Sequence, residues 1–193
     1  MAPTTTPKLS ARDRLLDAAD ELFYAEGVHV VGIDRVIEKA GVAKASLYSA
    51  FGSKDELIRA YLERRNERSR ERLTGCLEER FATPRERLLG IFQIQGELFA
   101  DPKFRGCPNA SAVAESQCGS KIEQASDDYR GWVRSVFVDL AGQAGAADPE
   151  GLAKQLALVH DGAATAARMD RDPAAAGVSL AVATALVDAA IPV

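Results

Sequence analysis

The sequence predicts an all-α protein: an N-terminal three-helix unit joined to a larger C-terminal helical domain. Three observations point that way. Apolar residues recur at three- and four-residue spacing along most of the chain, and the breaks between these stretches consist of Gly, Pro, Ser and Asp, the residues that cap and end helices. The chain has 193 residues, 47% of them hydrophobic. That is enough apolar material for one large domain, or for a small one attached to a larger one.

The first helix is expected over "SARDRLLDAADELFYAEG". Ser10 is its N-cap, Leu15, Leu16, Ala19, Leu22 and Phe23 form one stripe, and Gly27 is the stop. "GIDRVIEKAG" gives a second helix of two turns, with Gly32 at its start, Asp34 in the first turn, Ile33, Val36, Ile37 and Ala40 on the apolar face, and Gly41 at the end. A third, short helix runs from Lys44 to about Phe51. It buries only Leu47 and Phe51, with Val42 from the preceding turn, and leaves Ser46, Tyr48 and Ser49 outside. Ser53 then caps a long helix, about 53 to 79, in which the acidic residues come first and arginines crowd the middle.

Two short helices joined through a Gly-centred turn and packed on a longer one make a helix-turn-helix plan. A recognition helix has to bury just enough to be held by its domain while its remaining surface stays free for the major groove. Ser46 and Ser49 suit bases or phosphates, Ala45 a thymine methyl, and Lys44 and Tyr48 the backbone oxygens. Lys54 joins them at the start of the long helix, where its ammonium and the free N–H groups converge on one phosphate. The charge distribution agrees. Residues 1 to 75 hold 13 Lys+Arg against 12 Asp+Glu, whereas residues 76 to 193 hold 11 against 16, so the N-terminal third is the nucleic-acid face of a chain whose net charge is −4.

The order "F-Y-A-E-G" at 23 to 27, "I-D-R-V-I-E-K-A-G-V" at 33 to 42 and "L-Y-S-A-F-G-S-K-D-E-L" at 47 to 57 resembles the N-terminal domain of the TetR/AcrR family of transcriptional repressors. The resemblance covers about residues 10 to 60. It implies a DNA-binding domain at 1–52, and an effector-binding and dimerisation domain at 53–193 linked by the long helix. It also implies a homodimer on palindromic operator DNA, released by a small-molecule effector, with DNA contacts at Lys44, Ala45, Ser46, Tyr48, Ser49 and Lys54. The chain departs from the family pattern at Val31-Gly32 and Ala43, where many members carry capping hydroxyls, and at Ser49-Ala50, where bulkier residues are common. Few long side chains are left to read bases.

From about residue 76, helical stretches are expected at 84 to 100, 109 to 117, 120 to 144, 149 to 169 and 174 to 190. No Ser-His-Asp, Cys-His or paired-carboxylate arrangement stands at motif spacing, which argues against an enzyme. No cofactor or metal site is indicated either, because Cys76, Cys107 and Cys118 form no C-x-x-C or Cys/His cluster and are read as reduced thiols. No apolar run approaches the roughly 18 residues of a membrane span, and "MAPTTTPKLS" lacks a signal-peptide core, so a cytoplasmic location is expected.

Phe92, Gln95, Phe99, Phe104, Cys107 and Trp132 are the candidate effector-site residues, a mixture of aromatic and polar groups that suits a small-molecule pocket or, taken singly, an ordinary core. Cys107 has two readings. It is a packing residue, or a reactive thiol with a pKa lowered by Arg105 and by the helix starting near Asn109, which would make the protein a redox- or electrophile-sensing repressor. The Ala-rich C-terminal pair, with Leu156, His160 and Leu186, is the candidate dimer interface. A constitutive DNA-binding protein without effector is the remaining alternative.

Overall fold

The computed structural model describes residues 9–191, and among them the chain forms nine α-helices and no strand. The expectations drawn from residues 1–8, and the last two residues of the expected C-terminal domain, lie outside the described residues. The helices are α1 (Ala11–Glu26), α2 (Ile33–Ala40), α3 (Lys44–Phe51), α4 (Lys54–Arg80), α5 (Pro84–Phe99), α6 (Pro108–Ala114), α7 (Lys121–Gln143), α8 (Pro149–Asp170) and α9 (Ala175–Ala190).

The helix starts follow from their caps. The Ser10 side chain accepts from Asp13 N–H, Ser53 from Glu56 N–H, and Ser120 from Glu123 N–H. Thr83 and Glu86 form a full capping box ahead of Pro84. Helix α2 ends on Gly41 at φ 62°, the left-handed backbone that turns the chain toward α3. Arg14 of α1 then reaches across, its Nη1 donating to the Ala40 carbonyl at 3.2 Å and the Gly41 carbonyl at 3.1 Å. The side chain of one helix thus satisfies the end of the next and sets the angle of the turn. α6 ends at Ala114, three residues before the expected 117, because the chain leaves the helix through Glu115 and turns at Gly119, φ 76°.

Two cores follow. The N-terminal one gathers Leu15, Leu16, Ala19, Leu22 and Phe23 of α1, Val36 of α2, Leu47 of α3 and Leu57, Ile58, Tyr61 and Leu62 of α4, and it extends to Ala112 of α6 and Ile122 and Ala125 of α7. The C-terminal one is built from Leu73 and Leu77 of α4 with Leu88, Ile91 and Phe92 of α5, Phe137 of α7, Leu152 and Leu156 of α8, and Ala183 and Val187 of α9. Helix α4 therefore serves both. Its 27 residues span about 40 Å.

Between its two apolar stretches α4 buries a polar residue. Asn66, 5% exposed, exchanges two amide hydrogen bonds with Asn109 of α6, 2% exposed, at 3.3 and 2.8 Å, and donates to the Ala125 carbonyl at 3.2 Å. Removing one amide leaves the other buried without its partner, so Asn109→Ala should cost about 1–3 kcal/mol in urea unfolding. The double replacement Asn66→Leu with Asn109→Leu should cost less than the sum of the single ones, and simple additivity in that double-mutant cycle would count against a coupled pair.

Candidate DNA-binding surface and effector region

Helix α3 is anchored by Leu47, 0% exposed, and by Phe51, partly buried under the Arg12 guanidinium, which lies 5.1 Å from its ring centroid. The opposite side is open. Tyr48 is 47% exposed, Lys44, Ala45 and Ser49 are exposed, and Ser46 is half-buried. Ala45, Ser46, Ser49 and Ala50 border a shallow recess of about 400 Å³ against Ala11 of α1. Neither Gly32 nor Ala43 offers a capping side chain, so the N–H groups at the starts of α2 and α3 carry no side-chain acceptor. Such groups donate readily to phosphate oxygens.

Lys44 pairs with Asp34 at 2.9 Å, and that hydrogen bond raises its pKa above the ordinary lysine value, so the ammonium stays charged. The pair is exposed and contributes little to stability, which leaves the ammonium available to a phosphate. Lys54 Nζ lies 3.5 Å from the His29 carbonyl, a marginal contact. The surface is held from behind by α4. Arg64 joins Asp17 at 2.7 Å and the Leu16 carbonyl at 2.7 Å. Arg65 joins Asp20 at 2.6 Å while its guanidinium stacks on Tyr24, 3.8 Å from the centroid.

The six candidate effector residues do not line one cavity. Phe92, 1% exposed, packs with Phe137 and His160 inside the C-terminal core. Gln95, 8% exposed, sits beside them, its Nε2 donating to the His160 carbonyl at 2.9 Å. Phe99 and Phe104 meet each other, centroids 5.1 Å apart, in a separate cluster with Ala163, Ala164 and Ala167. Trp132 lies against Tyr129 and under Arg70. Cys107 stands apart from all of these, in a crevice of about 430 Å³ between α1, α6 and the end of α8. Residue chemistry put them together, with Phe92, Gln95 and Phe99 on one helix face and Phe104 and Cys107 in the loop after it, but packing turns them toward different neighbours. What the Gln95 group does have is unmet polarity: Gln95 Oε1 is buried without a hydrogen-bond partner among the described residues, and His160 Nδ1 has only the Asp161 carboxylate at 3.8 Å.

Of the two readings of Cys107, packing has the support of its surroundings. Burial pushes the thiol pKa up, and the N–H groups of Ala110 and Asn109 only partly oppose that. Arg105 contributes nothing to it, because its guanidinium folds back onto the Pro102 and Phe104 carbonyls, both at 3.0 Å. The thiol is neutral near pH 7.

One dimer candidate, Leu156, is corrected, whereas His160 and Leu186 are partly exposed and stand as candidates. Leu156 is 0% exposed and belongs to the C-terminal core of its own chain, His160 lies between Phe92 and Phe137, and Leu186 packs against the same core. The residues that do face outward on α8 and α9 are Leu158 at 75%, Met169 at 75%, Val178 at 65% and Val182 at 43%. Helical spacing showed two apolar helices but not which stripe of each the protomer would claim.

Comparison with known proteins agrees with this architecture. The family profile described as "Bacterial regulatory proteins, tetR family" matches residues 15–61. The crystal structure of a TetR-family transcriptional regulator from Streptomyces coelicolor superposes with a TM-score of 0.87 at 31% identity, over 93% of this chain and 95% of that one. In sequence, the chain is 26% identical to the HTH-type transcriptional regulator LmrA of Bacillus subtilis, over 72% of this chain and 74% of that protein. It is also 45% identical over 58 residues to the HTH-type transcriptional activator FasR of Mycolicibacterium smegmatis, a match that covers 30% of this chain and only 26% of FasR. With a fold shared from end to end at that identity, and the helix-turn-helix segment matched on its own, the chain belongs to the TetR family of DNA-binding transcriptional regulators, which are not enzymes.

Proposed function

We propose that the protein is a cytoplasmic, homodimeric repressor that holds a palindromic operator through Lys44, Ala45, Ser46, Tyr48, Ser49 and Lys54 and releases it when a small molecule binds the C-terminal domain. The head is taken as residues 1–52 and the effector and dimerisation domain as 53–193. The observation that carries the DNA reading is α3 itself: a helix fixed by one fully buried side chain, with short polar residues on its open side and uncapped helix starts beside it. The dimer reading is supported by the apolar outer stripe of α8 and α9, where Leu158 and Val178 stand beside small residues such as Gly162, Ala181 and Ala185. The effector reading is supported by Gln95, whose unpaired Oε1 lies beside Phe92, Phe137 and His160, a setting that rewards a ligand able to hydrogen-bond it.

Three measurements test this. In gel-shift titrations on operator fragments selected from genomic DNA, Lys54→Ala and Tyr48→Phe should weaken binding to all sequences alike, with Lys54→Ala lowering the salt slope by about 1. Ser46→Ala should shift sequence preference more than affinity. Unchanged binding by Lys54→Ala would remove its phosphate role.

Assembly is read by sedimentation. Leu158→Glu or Val178→Glu should leave a folded monomer with much weaker operator binding, since two recognition helices have to meet major-groove faces about 34–36 Å apart. Leu156→Glu should instead fail to fold. A wild-type monomer at micromolar concentration would overturn the dimer.

The third concerns the thiols. Cys118 is exposed and should be alkylated fastest near neutral pH, with Cys107 slower because its buried thiol is protonated. A Cys107 that outpaced Cys118 would restore the thiol-sensing alternative.

A further inference from the structure

The crevice between α1, α6 and the end of α8 is separate from the Gln95 and His160 group and from the DNA-binding surface. Its volume, about 430 Å³, is that of a site for a compact organic molecule. The walls mix apolar side chains, Phe23, Val28, Ala112, Ala164 and Met169 among them, with polar ones. Polar groups converge at two places. Tyr61, 2% exposed, reaches the crevice from α4, and its hydroxyl has no hydrogen-bond partner among the described residues. That hydroxyl opens onto the crevice and can donate to a ligand acceptor there.

At the rim stand Arg105 and Arg168. Gly106, φ 92°, lies between them in a backbone conformation that favours glycine, and the stem of Arg168 runs beside it, 3.4 Å from where a Cβ would stand. Neither guanidinium has a carboxylate partner among the described residues. The two acidic residues of the lining are already engaged. Glu26 is paired with Arg35 at 2.7 Å, and Glu115 accepts the His29 N–H at 3.0 Å.

We propose that this crevice is a second ligand site, which takes a small apolar carboxylate: the carboxylate between Arg105 and Arg168, the apolar body against Phe23, Val28 and Met169, and an acceptor atom at the Tyr61 hydroxyl. The site bears directly on the head. Tyr24, which lines it, donates to the Gly106 carbonyl at 3.3 Å and accepts from Arg105 N–H at 3.0 Å, and Glu115 holds His29 by its N–H and through its own carbonyl. A ligand drawing Arg105 and Arg168 inward loosens these contacts, and His29 is the residue whose carbonyl faces Lys54. That consequence rests on the DNA-binding reading above; occupancy of the crevice does not.

The test is calorimetric titration of the full-length protein with three probes, hexanoate, decanoate and naphthoate, each beside its neutral amide. At least one carboxylate should bind once per chain and about tenfold more tightly than its amide. Arg168→Gln, at an exposed position, should abolish that preference for the anion. Tyr61→Phe, which deletes only the unpartnered hydroxyl, should weaken binding several-fold without lowering thermal stability. Gln95→Leu should leave probe binding unchanged.

No saturable binding by any of the three, or binding that survives both Arg168→Gln and Tyr61→Phe, overturns the proposal. Probe binding lost only in Gln95→Leu also overturns it, and leaves the effector reading standing. Operator binding measured without probe reports on the DNA reading alone. If the probe binds the crevice with unchanged operator affinity, the site stands and its coupling to the head is refuted.

Discussion

Helix α4 has to belong to two cores at once, and most of the architecture follows from that constraint. A straight helix presents a given face every three or four residues, so a single stripe cannot serve two cores that lie on different sides without a changeover. In α4 the changeover falls between Leu62, the last residue committed to the N-terminal core, and Leu73, the first committed to the C-terminal one. Asn66 occupies that interval. An apolar residue there would pack against whichever core came nearer, whereas an amide is satisfied by one partner in one orientation, and the exchange with Asn109 ties α4 to α6 in a single register.

The contacts on either side of that point differ in kind. Between α1 and α4 they are strong and redundant: Leu15, Leu57 and Leu62 fully buried, Arg64 and Arg65 each doubly bonded, and Arg65 also covering two tyrosine rings. Between the head and the body beyond α4, polar contacts stand beside a small apolar set: Tyr24 to the loop at 105–106, His29 to Glu115 and Lys121 to Glu56, with Ala112, Ile122 and Ala125 packed into the head core. The three-helix head is thus tied most firmly to the first half of α4, and α6 meets it through Ala112. The small apolar contribution of α6 to the head core, Ala112, is a methyl group that can slide where a leucine would lock.

The fold was legible because its signals are local. Ser10, Ser53 and Gly41 are caps and stops that act within one turn, and the helices they bound lie where the periodicity places them. The exposed side of α3 was legible for the same reason, since a helix of eight residues with only Leu47 and Phe51 to bury has one way to lie on its domain. Long-range pairing was not. Tyr24 and Gly106 are 82 positions apart, His29 and Glu115 86, and Asn66 and Asn109 43, and no spacing rule connects them. The C-terminal helices misled for a different reason. In Ala-rich segments several stripes are equally apolar, so Leu156 and Leu158 look alike until α9 is packed and one proves fully buried and the other 75% exposed.

The polar head-to-body contacts fit the proposed release by a ligand, which asks for an adjustable DNA affinity. A ligand can shift an equilibrium only by its differential affinity for the two states, and coupling free energies between sites run at about 1–3 kcal/mol. A rearrangement that tore Leu15 or Leu62 from the core would cost about 2–5 kcal/mol for each, beyond what a small ligand supplies. Hydrogen bonds such as Tyr24 to Gly106 or His29 to Glu115 contribute about 0.5–1.5 kcal/mol each, and two or three of them together match the coupling range. Polar contacts also have discrete made and broken states, while a packed interface resists continuous deformation. The junction thus concentrates its adjustable energy where the chain turns from α1 into α2 and from the 105–107 loop into α6, and it leaves the recognition helix rigid on the core that carries it.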